Sequence, residues 1–223
     1  MAALETIDID TGPKPIAAVI VLHGLGADGN DFVPVAQELD LASVGPVRFV
    51  FPHAPVIPVT INNGHRMRAW YDILGMDLVR REDEAGLRRS LAAVEELLAN
   101  VKGSGIPPAR TVLAGFSQGC AMALMTGLRF RERLAGIAGL SGYLPLAQGT
   151  AAERTDANAL TPIFMSHGRQ DNVVTVDRGV ASRDALRHLG YEVEWHDYPM
   201  AHSVCAEEIA DLNGWLLKVL AKP

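Results

Sequence analysis

Ser117 lies at the centre of a glycine-flanked motif, Gly115-Phe116-Ser117-Gln118-Gly119. The pattern G-x-S-x-G is typical of a serine held on a sharp turn between a strand and a helix, where the glycines let neighbouring backbone approach closely. A glycine-rich turn can carry such a serine by chance, so its surroundings matter. An apolar run at residues 111–114 predicts a buried strand before the motif, and residues 118–128 predict an apolar helix after it. This context favours Ser117 as a nucleophile.

His202 is the histidine best placed to act as a base for Ser117. A serine nucleophile needs a base within about 2.6–3.2 Å, and that base needs a third group that orients it and stabilises its charged form. His202 follows the last predicted strand, residues 191–198, in a loop at the same sheet edge as the serine. His188 falls inside a predicted helix and His196 inside the strand. His202 is therefore the predicted base. The alternative is that it is a loop histidine that merely begins the next helix.

Asp171 is the predicted acidic partner of this histidine. It follows a predicted strand at residues 163–166, again at the carboxyl end of that strand. The order serine, acid, histidine along the chain is one of the known orders for such a triad. Asp177 is predicted to be helical, and Asp197 lies in the last strand. Asp171 could also cap the helix that follows it, and the two roles can coexist.

Two backbone amides are predicted to hold the oxyanion that acyl transfer creates. Preorganised donors of this kind typically account for about 2.7–4 kcal/mol each. One is the N–H of Gln118, the residue after the nucleophile. The other is the N–H of Leu25, because an apolar strand at residues 16–22 runs directly into His23-Gly24-Leu25-Gly26. His23 itself is assigned a structural role in holding this loop.

Short apolar runs alternate with helical patterns along the chain. Such alternation predicts an α/β fold, with a mainly parallel sheet covered by helices on both faces and ligands bound beyond the carboxyl ends of the strands. We expect residues 1–223 to form one domain. The predicted strands are residues 16–22, 47–51, 111–114, 137–140, 163–166 and 191–198. The predicted helices are residues 83–101, 118–128, 174–189 and 207–220.

Two stretches between these elements show no regular pattern, residues 52–76 and 141–161. Loops of this length in a compact domain are usually functional or poorly ordered. The first is rich in apolar and aromatic side chains, so it is predicted to form a wall of the site, with Ile57, Trp70 and Leu74 in contact with substrate. The second is predicted to be a surface excursion.

Composition and charge narrow the classes of function. The net charge of −6 gives no general attraction for nucleic acid. The apolar runs are far shorter than the ~20 residues of a membrane-spanning helix, and the first ten residues carry Glu5, Asp8 and Asp10 where a secretory signal would be basic. Cys120 and Cys205 have no metal-type spacing, so neither a metal site nor a disulfide framework is expected. These features predict a cytoplasmic protein with no nucleic-acid partner and no stable membrane insertion.

Several motifs together resemble the carboxylesterase and acyl-protein thioesterase family, also called the phospholipase/carboxylesterase family, of the α/β-hydrolases. They span most of the chain and are jointly far more specific than the serine motif alone. The loop at residues 26–32 resembles the bacterial carboxylesterase branch more than the eukaryotic depalmitoylating branch. The matching segments are residues 22–32 (LHGLGADGNDF), 68–72 (RAWYD), 114–119 (AGFSQG), 166–171 (SHGRQD) and 198–203 (YPMAHS).

The resemblance implies an α/β-hydrolase fold with little or no lid, no cofactor and, in some members, a homodimer. Position by position it implies Ser117, Asp171 and His202 as the triad, and the amides of Leu25 and Gln118 as the oxyanion hole. Family members often have glycine where Cys120 stands. That departure touches no predicted catalytic group.

The leading functional hypothesis is a serine carboxylesterase that hydrolyses short- to medium-chain carboxylic esters through an acyl-enzyme. The alternative is an acyl-protein thioesterase or lysophospholipase, which shares this chemistry and differs in its pocket. A noncatalytic hydrolase-like binding module is a remote alternative, since a fold does not guarantee activity. A metal-dependent hydrolase is less favoured, because the sequence has no evident histidine–carboxylate ligand cluster.

Overall fold

A seven-stranded sheet forms the centre of the molecule. The computed structural model describes residues 3–75 and 82–221. In chain order the strands are β1 (Thr6–Asp10), β2 (Ala17–Leu22), β3 (Val47–Pro52), β4 (Val56–Val59), β5 (His65–Arg68), β6 (Thr111–Phe116), β7 (Gly136–Leu140), β8 (Ile163–Gly168) and β9 (Val193–Tyr198). The large sheet has the order β1-β3-β2-β6-β7-β8-β9, and every neighbouring pair is parallel except β1 with β3. The strands β4 and β5 form a separate antiparallel hairpin.

Helices cover both faces of this sheet. They are α1 (Val33–Glu38), α2 (Glu84–Gly103), α3 (Gln118–Arg129), α4 (Ala147–Glu153), α5 (Val176–His188) and α6 (Ala206–Val219). One hydrophobic cluster joins the sheet to α2, α3 and α5, and a second joins the opposite face to α1 and α6. The predicted fold class, a mainly parallel sheet with helices on both faces, is thereby confirmed.

Burial explains why the apolar runs form strands and helices at these places. Strands β7 and β8 are buried along their whole length, as expected for parallel strands covered on both faces. Every residue of α3 is buried, which matches its apolar sequence on all sides. Helix α2 instead buries one stripe, and it begins after Asp83, whose carboxylate accepts a hydrogen bond from Gly86 N at 2.9 Å.

The structure also contains elements that the apolar patterns did not predict. The sequence of β1 alternates polar and apolar residues, and the strand pairs antiparallel at the sheet edge. The hairpin β4–β5 lies within the stretch 52–76 that was predicted to be irregular, and Met76 at its end lies outside the described residues. Helix α4 lies within the stretch 141–161. Both stretches therefore contain more regular structure than expected.

The carboxyl ends of the parallel strands gather the candidate residues. Strand β2 runs into the loop with Leu25, β6 into Ser117, β8 into the loop with Asp171, and β9 into the loop with His202. Within residues 3–75 and 82–221, no helix has the length and apolar character needed to span a membrane.

Candidate active site

The turn between β6 and α3 holds Ser117 in a strained backbone conformation. Ser117 has φ 55° and ψ −114°, a combination that L-residues rarely adopt. Its N–H donates to Leu140 O at 2.8 Å, which ties the turn to β7. The flanking glycines are sterically required, because a Cβ on Gly115 would overlap Gly119 O and a Cβ on Gly119 would overlap Leu22 O. The G-x-S-x-G pattern thus has a direct packing cause.

Three side chains meet at this edge of the sheet in one hydrogen-bonded line. His202 Nε2 lies 2.8 Å from Ser117 Oγ, and His202 Nδ1 lies 2.6 Å from Asp171 Oδ2. The Asp171 side chain is fully buried, whereas that of His202 is 16% exposed. When Nδ1–H donates to the carboxylate, Nε2 is left able to accept the hydroxyl proton. The geometry therefore brings together the three residues that the sequence nominated.

The other carboxylate oxygen of Asp171 holds the backbone that follows it. Asp171 Oδ1 accepts from Val173 N at 2.8 Å and from Val174 N at 2.9 Å. His167 lies 3.4 Å from Oδ2, and its Nε2–H donates to Val174 O at 2.7 Å. Burial lowers the pKa of His167, which favours the neutral ring beside the carboxylate. Asp171 thus fixes its own loop and faces His202 at the same time.

The loop that carries His202 is bound to the loop that carries Asp171. Arg169 N donates to Tyr198 O at 2.8 Å, so the two loops are joined by backbone at their bases. On its other side, the imidazole of His202 packs against the ring of Phe116, with centroids 4.8 Å apart. These contacts fix the position of the imidazole between the serine and the carboxylate.

The amides of Leu25 and Gln118 belong to residues that line the same cavity as Ser117. Among residues 3–75 and 82–221, neither amide donates a hydrogen bond to another protein group. The N–H of Gln118 is open because it lies at the first position of α3, where the helix itself supplies no acceptor. Both amides are available to an oxyanion formed on an acyl group attached to Ser117.

The side chain of Gln118 anchors the turn to the segment that forms the cavity wall. Gln118 Oε1 accepts from Trp70 N at 2.8 Å, and Gln118 Nε2 donates to Tyr71 O at 2.7 Å. Gln118 is only 3% exposed, so these bonds are sheltered from water. The residue after the serine thus contributes its side chain to structure and leaves its N–H to the cavity.

His23 holds the loop that presents Leu25. Its Nδ1–H donates to Gly24 O at 2.7 Å, and its Nε2 accepts from Ala54 N at 3.0 Å. The indole N–H of Trp70 donates to His23 O at 2.9 Å. Burial lowers the pKa of His23, so the ring is held in the neutral form that these two bonds require. These contacts are those of the structural role predicted for His23.

A cavity of about 770 Å³ opens over Ser117 and His202. Its rim includes Val173, which is 63% exposed, and Ile61, which is 36% exposed. Aromatic and aliphatic side chains provide much of the wall, which is the usual character of a site for an apolar ligand. These side chains are Ile61, Tyr71, Ile73, Phe116, Tyr143 and Val174. In the part of the chain that the structure describes, no group of three or more His, Cys, Asp and Glu side chains is arranged to hold a metal ion.

The sequence-based choice of Ile57, Trp70 and Leu74 as substrate contacts is corrected by the structure. None of these three lines the cavity, although all lie in described parts of the chain. Ile57 belongs to the hairpin strand β4. Trp70 is 2% exposed and packs against the ring of His23, with centroids 5.5 Å apart. Ile73, not its neighbour Leu74, reaches the cavity.

Three of the polar side chains that line the cavity were not among the predicted substrate contacts. Tyr71 and Tyr143 come from different loops, and their hydroxyl oxygens lie 2.9 Å apart. Arg178 lies in the first turn of α5, with its guanidinium 4.6 Å from the centre of the Tyr143 ring. Tyr71 was within the predicted wall segment and could have been found there. Tyr143 and Arg178 carry no motif, because their position depends on how two loops and a helix pack.

Glu208 is a buried carboxyl group near the loop that carries His202. It lies in the first turn of α6 and is 0% exposed. Among the described residues, no group makes a hydrogen bond of standard geometry to its carboxylate oxygens, although the side chain of Ser166 and the N–H of Cys205 lie close enough to offset part of the effect of burial. Burial raises its pKa to about 7. The ionised form of Glu208 is therefore costly in the folded protein.

The comparisons with known proteins agree with this geometry. The sequence matches the family described as Phospholipase/Carboxylesterase over residues 7–220. Acyl-protein thioesterase 1 of Gibberella zeae is 42% identical over 213 residues, which cover 92% of this chain and 91% of that protein. Acyl-protein thioesterase 1 of Mycosarcoma maydis is 41% identical over 237 residues, which cover 99% of each chain.

Solved structures give the same assignment. The crystal structure of Zea mays acyl-protein thioesterase 2 aligns with a TM-score of 0.84 at 28% identity, covering 96% of this chain and 99% of that chain. The fold and the family that the motifs indicated are both confirmed. This chain belongs to the phospholipase/carboxylesterase family of α/β-hydrolases and is a serine hydrolase.

Proposed function

We propose that this protein hydrolyses long-chain acyl thioesters and related acyl esters through an acyl-enzyme formed on Ser117. The observation that carries this proposal is the hydrogen-bonded line from Asp171 through His202 to Ser117, with separations of 2.6 and 2.8 Å. In this proposal His202 is the base and Asp171 orients it. The amides of Leu25 and Gln118 bind the oxyanion.

The first half of the reaction transfers the acyl group to the enzyme. Ser117 Oγ attacks the carbonyl carbon while its proton passes to His202 Nε2, and the carbonyl oxygen becomes the oxyanion. The imidazolium that forms is stabilised by the Asp171 carboxylate. When the oxyanion collapses, the bond to the leaving sulfur or oxygen breaks and His202 Nε2–H protonates the leaving group.

The second half returns the enzyme to its starting state. A water molecule attacks the acyl-serine carbon and gives one proton to His202 Nε2. Collapse of the second tetrahedral intermediate breaks the bond to Ser117 Oγ, which takes the proton back from Nε2. The products are a carboxylic acid and a thiol or alcohol, and the proposed reaction needs no group from outside the protein other than water.

Two observations favour thioesters and longer acyl chains over the short- to medium-chain esters of the leading sequence hypothesis. The fungal relatives compared above are named acyl-protein thioesterase 1. A cavity of about 770 Å³ with aliphatic and aromatic walls leaves room for an extended acyl chain. The names of these relatives do not support the bacterial carboxylesterase branch that residues 26–32 suggested. A lysophospholipid is a second substrate class compatible with the same acyl cavity.

The test combines an active-site label with matched substrates. A fluorophosphonate should label the wild-type protein stoichiometrically and should not label Ser117→Ala. The same variant should lower kcat for an acyl thioester by at least about 10³-fold. Ser43→Ala, at an exposed position outside the site, is the matched control. A Ser117→Ala protein with wild-type activity would overturn the proposal and leave a binding module or another nucleophile.

Chain length and leaving group are measured in the same assay. We expect kcat/KM to rise with acyl length, by up to about 0.8 kcal/mol for each buried methylene, and to be greater for the thioester of each matched pair. A maximum at two to four carbons with oxygen esters preferred would restore the carboxylesterase hypothesis.

Domain organisation, cellular location and assembly also belong to this proposal. We propose one domain over residues 1–223, because the large sheet takes strands from Thr6 to Tyr198 and the last helix packs on it. The cytoplasmic location and the homodimer that the family resemblance implied stay predictions, which fractionation and analytical ultracentrifugation would test.

A further inference from the structure

A second cleft lies next to the candidate active-site cavity, beyond the side chains at one end of that cavity. The cleft measures about 560 Å³, and its walls include Leu144, Leu146 and Ala181. Tyr143 and Arg178 line both this cleft and the cavity over Ser117. The side chains of Tyr143 and Arg178 therefore separate the two spaces at this point.

Tyr143 is held firmly in this wall. It is 7% exposed, and its hydroxyl group is 2.9 Å from that of Tyr71. Burial raises the pKa of Tyr143, so the hydroxyl keeps its proton and the pair stays hydrogen-bonded. The next residue, Leu144, donates its N–H to Ser182 Oγ at 2.9 Å, which fastens the loop to α5.

Arg178 completes the wall with a side chain that is less constrained. Its guanidinium lies over the ring of Tyr143, 4.6 Å from the centroid. Among the described residues, Arg178 forms no ion pair. Burial raises the pKa of the half-buried Glu82, and the positive charge of Arg178 opposes that shift. A cation–π contact at a half-exposed site is among the weaker contacts in proteins. The arginine stem thus fills space without being bound in place by a carboxylate.

We propose that Tyr143 and Arg178 form the end wall of the acyl site and set the longest acyl chain that the enzyme accepts. This proposal rests on the proposed function, since it assigns the cavity over Ser117 to the acyl chain. The second cleft is then space that an acyl chain reaches only when the wall is shortened. An acyl chain would enter along the apolar side chains of Leu144, Leu146 and Ala181. The rest of the cleft carries charged side chains, namely Glu82, Glu84, Arg88, Glu153 and Asp177.

The test is the dependence of kcat/KM on acyl length in wild type and wall variants. Each methylene that becomes buried can raise kcat/KM by up to about fourfold. The value of kcat/KM stops rising when the acyl chain fills the site, and the chain length at which this happens is the break point. Arg178→Ala and Tyr143→Ala should each move this break point to chains at least two methylenes longer. Arg178→Met, which keeps the stem, should leave the break point where it is in the wild type.

A filling variant distinguishes the cleft from general loosening of the site. Ala181 lies one turn after Arg178 on the same face of α5 and is exposed. In the Arg178→Ala background, Ala181→Phe should return the break point towards the wild-type length. Ala181→Phe alone should not change it, because the wall is then intact.

Two outcomes would overturn the inference. One is a break point that is the same in wild type, Arg178→Ala and Tyr143→Ala. The other is a longer break point in Arg178→Ala that Ala181→Phe does not reverse. Tyr143 is buried, so the result for Tyr143→Ala is used only if this variant unfolds cooperatively and is therefore folded. Arg178 is half-exposed, so Arg178→Ala decides the test whether or not Tyr143→Ala folds.

Failure of the proposed function would be visible separately. If the wild-type protein cleaved no acyl ester or thioester of any length, the proposed function would be wrong. The role of the wall would then be tested by measuring, with calorimetry, the affinity of the protein for fatty acids of the same lengths. A break in affinity that moves to longer chains in Arg178→Ala would still support the wall, and an unmoved break would refute it.

Discussion

One carboxylate oxygen of Asp171 lies 2.6 Å from His202 Nδ1, and its other oxygen is already committed to two backbone amides. The carboxylate therefore cannot rotate without losing the bonds that shape its own loop. The atom at the Oδ2 position is therefore the one that faces His202 Nδ1. A substitution that changes this atom changes the hydrogen-bond partner of the imidazole.

This constraint predicts the effect of Asp171→Asn. The amide oxygen of Asn should take the position that accepts the two backbone N–H groups, which turns its NH₂ group towards His202 Nδ1. That orientation favours the tautomer with the proton on Nε2, which cannot accept the proton of Ser117. We expect kcat to fall on the order of 10⁴-fold.

Steady-state kinetics and thermal melting together check this prediction. The melting temperature should change little, because the loop contacts are kept. Asp177→Asn, on the first turn of α5, is the matched control and should retain activity. An Asp171→Asn protein within tenfold of wild-type kcat would show that the tautomer of His202 is set by another group.

Gln118→Ala should destabilise the protein through the cavity wall. The substitution removes the partners of Trp70 N and Tyr71 O, two backbone groups that the side chain of Gln118 satisfies. A buried polar group left unpaired costs about 1–3 kcal/mol. We expect the free energy of unfolding, measured in urea, to fall by about 2–4 kcal/mol.

Gln148→Ala is the control for this measurement, because Gln148 is exposed. It should change the free energy of unfolding by less than about 0.5 kcal/mol. Equal, small effects of the two substitutions would mean that water replaces the lost partners in the first variant.

Glycine 119 should be far less tolerant of alanine than a glycine with open space around it. A Cβ on Gly119 would overlap Leu22 O, which belongs to the sheet and cannot move away cheaply. Overpacking of this kind costs about 1–3 kcal/mol and displaces backbone. We expect Gly119→Ala to be destabilised by at least that amount and to lose its reaction with a fluorophosphonate.

Gly103 at the end of α2 provides the matched substitution, since an added Cβ there has nothing within 4 Å. Gly103→Ala should be neutral or slightly stabilising, because alanine is the better helix former. Melting curves and fluorophosphonate labelling are measured for both variants. Effects confined to Gly119→Ala would indicate a local clash, whereas similar effects in both variants would indicate a general intolerance of alanine.

Glu208 should make stability depend on pH in a defined window. Burial raises its pKa from 4.5 to about 7, so the folded protein still holds this proton at pH values where the unfolded chain has lost it. The stability that follows is fully present below pH 4.5, is lost as the pH rises to about 7, and stays lost above that. The whole effect corresponds to roughly 3 kcal/mol at most.

Glu208→Gln should remove this contribution to the pH dependence. Relative to wild type, the variant should gain free energy of unfolding as the pH rises across that window, whatever the difference between them at low pH. Glu207→Gln, at the exposed neighbouring position, should follow the wild-type curve. Parallel curves for wild type and Glu208→Gln in urea titrations would contradict the prediction.

The positions of Ser117, Asp171 and His202 could be predicted because each follows a strand, and parallel strands bring their carboxyl ends to one edge. The glycines around Ser117 added a steric signal that is local in sequence. The same reasoning gave Leu25, since β2 ends just before it. Which strands are neighbours hardly mattered for this result, because all of them point to the same edge.

The cavity wall could not be predicted in the same way. Whether Ile73 or Leu74 faces the cavity depends on a shift of one residue in an irregular segment, which no periodic pattern determines. Trp70 is large and apolar, yet it is used to hold His23 O. Tyr143 and Arg178 meet only through tertiary packing, so the sequence carries no local sign of the wall they form.

The large sheet ends in β9, whose outer backbone groups would be an open template for a strand from another molecule. Glu194 and Asp197 place carboxylates on this strand, where each lies beside a cation, Lys218 at 3.5 Å and Arg169 at 3.1 Å. Because β9 leads directly into the loop of His202, edge-to-edge association there would also disturb that loop. Charged side chains on an edge strand disfavour such pairing, so we expect the β9 edge to resist strand addition by a second molecule.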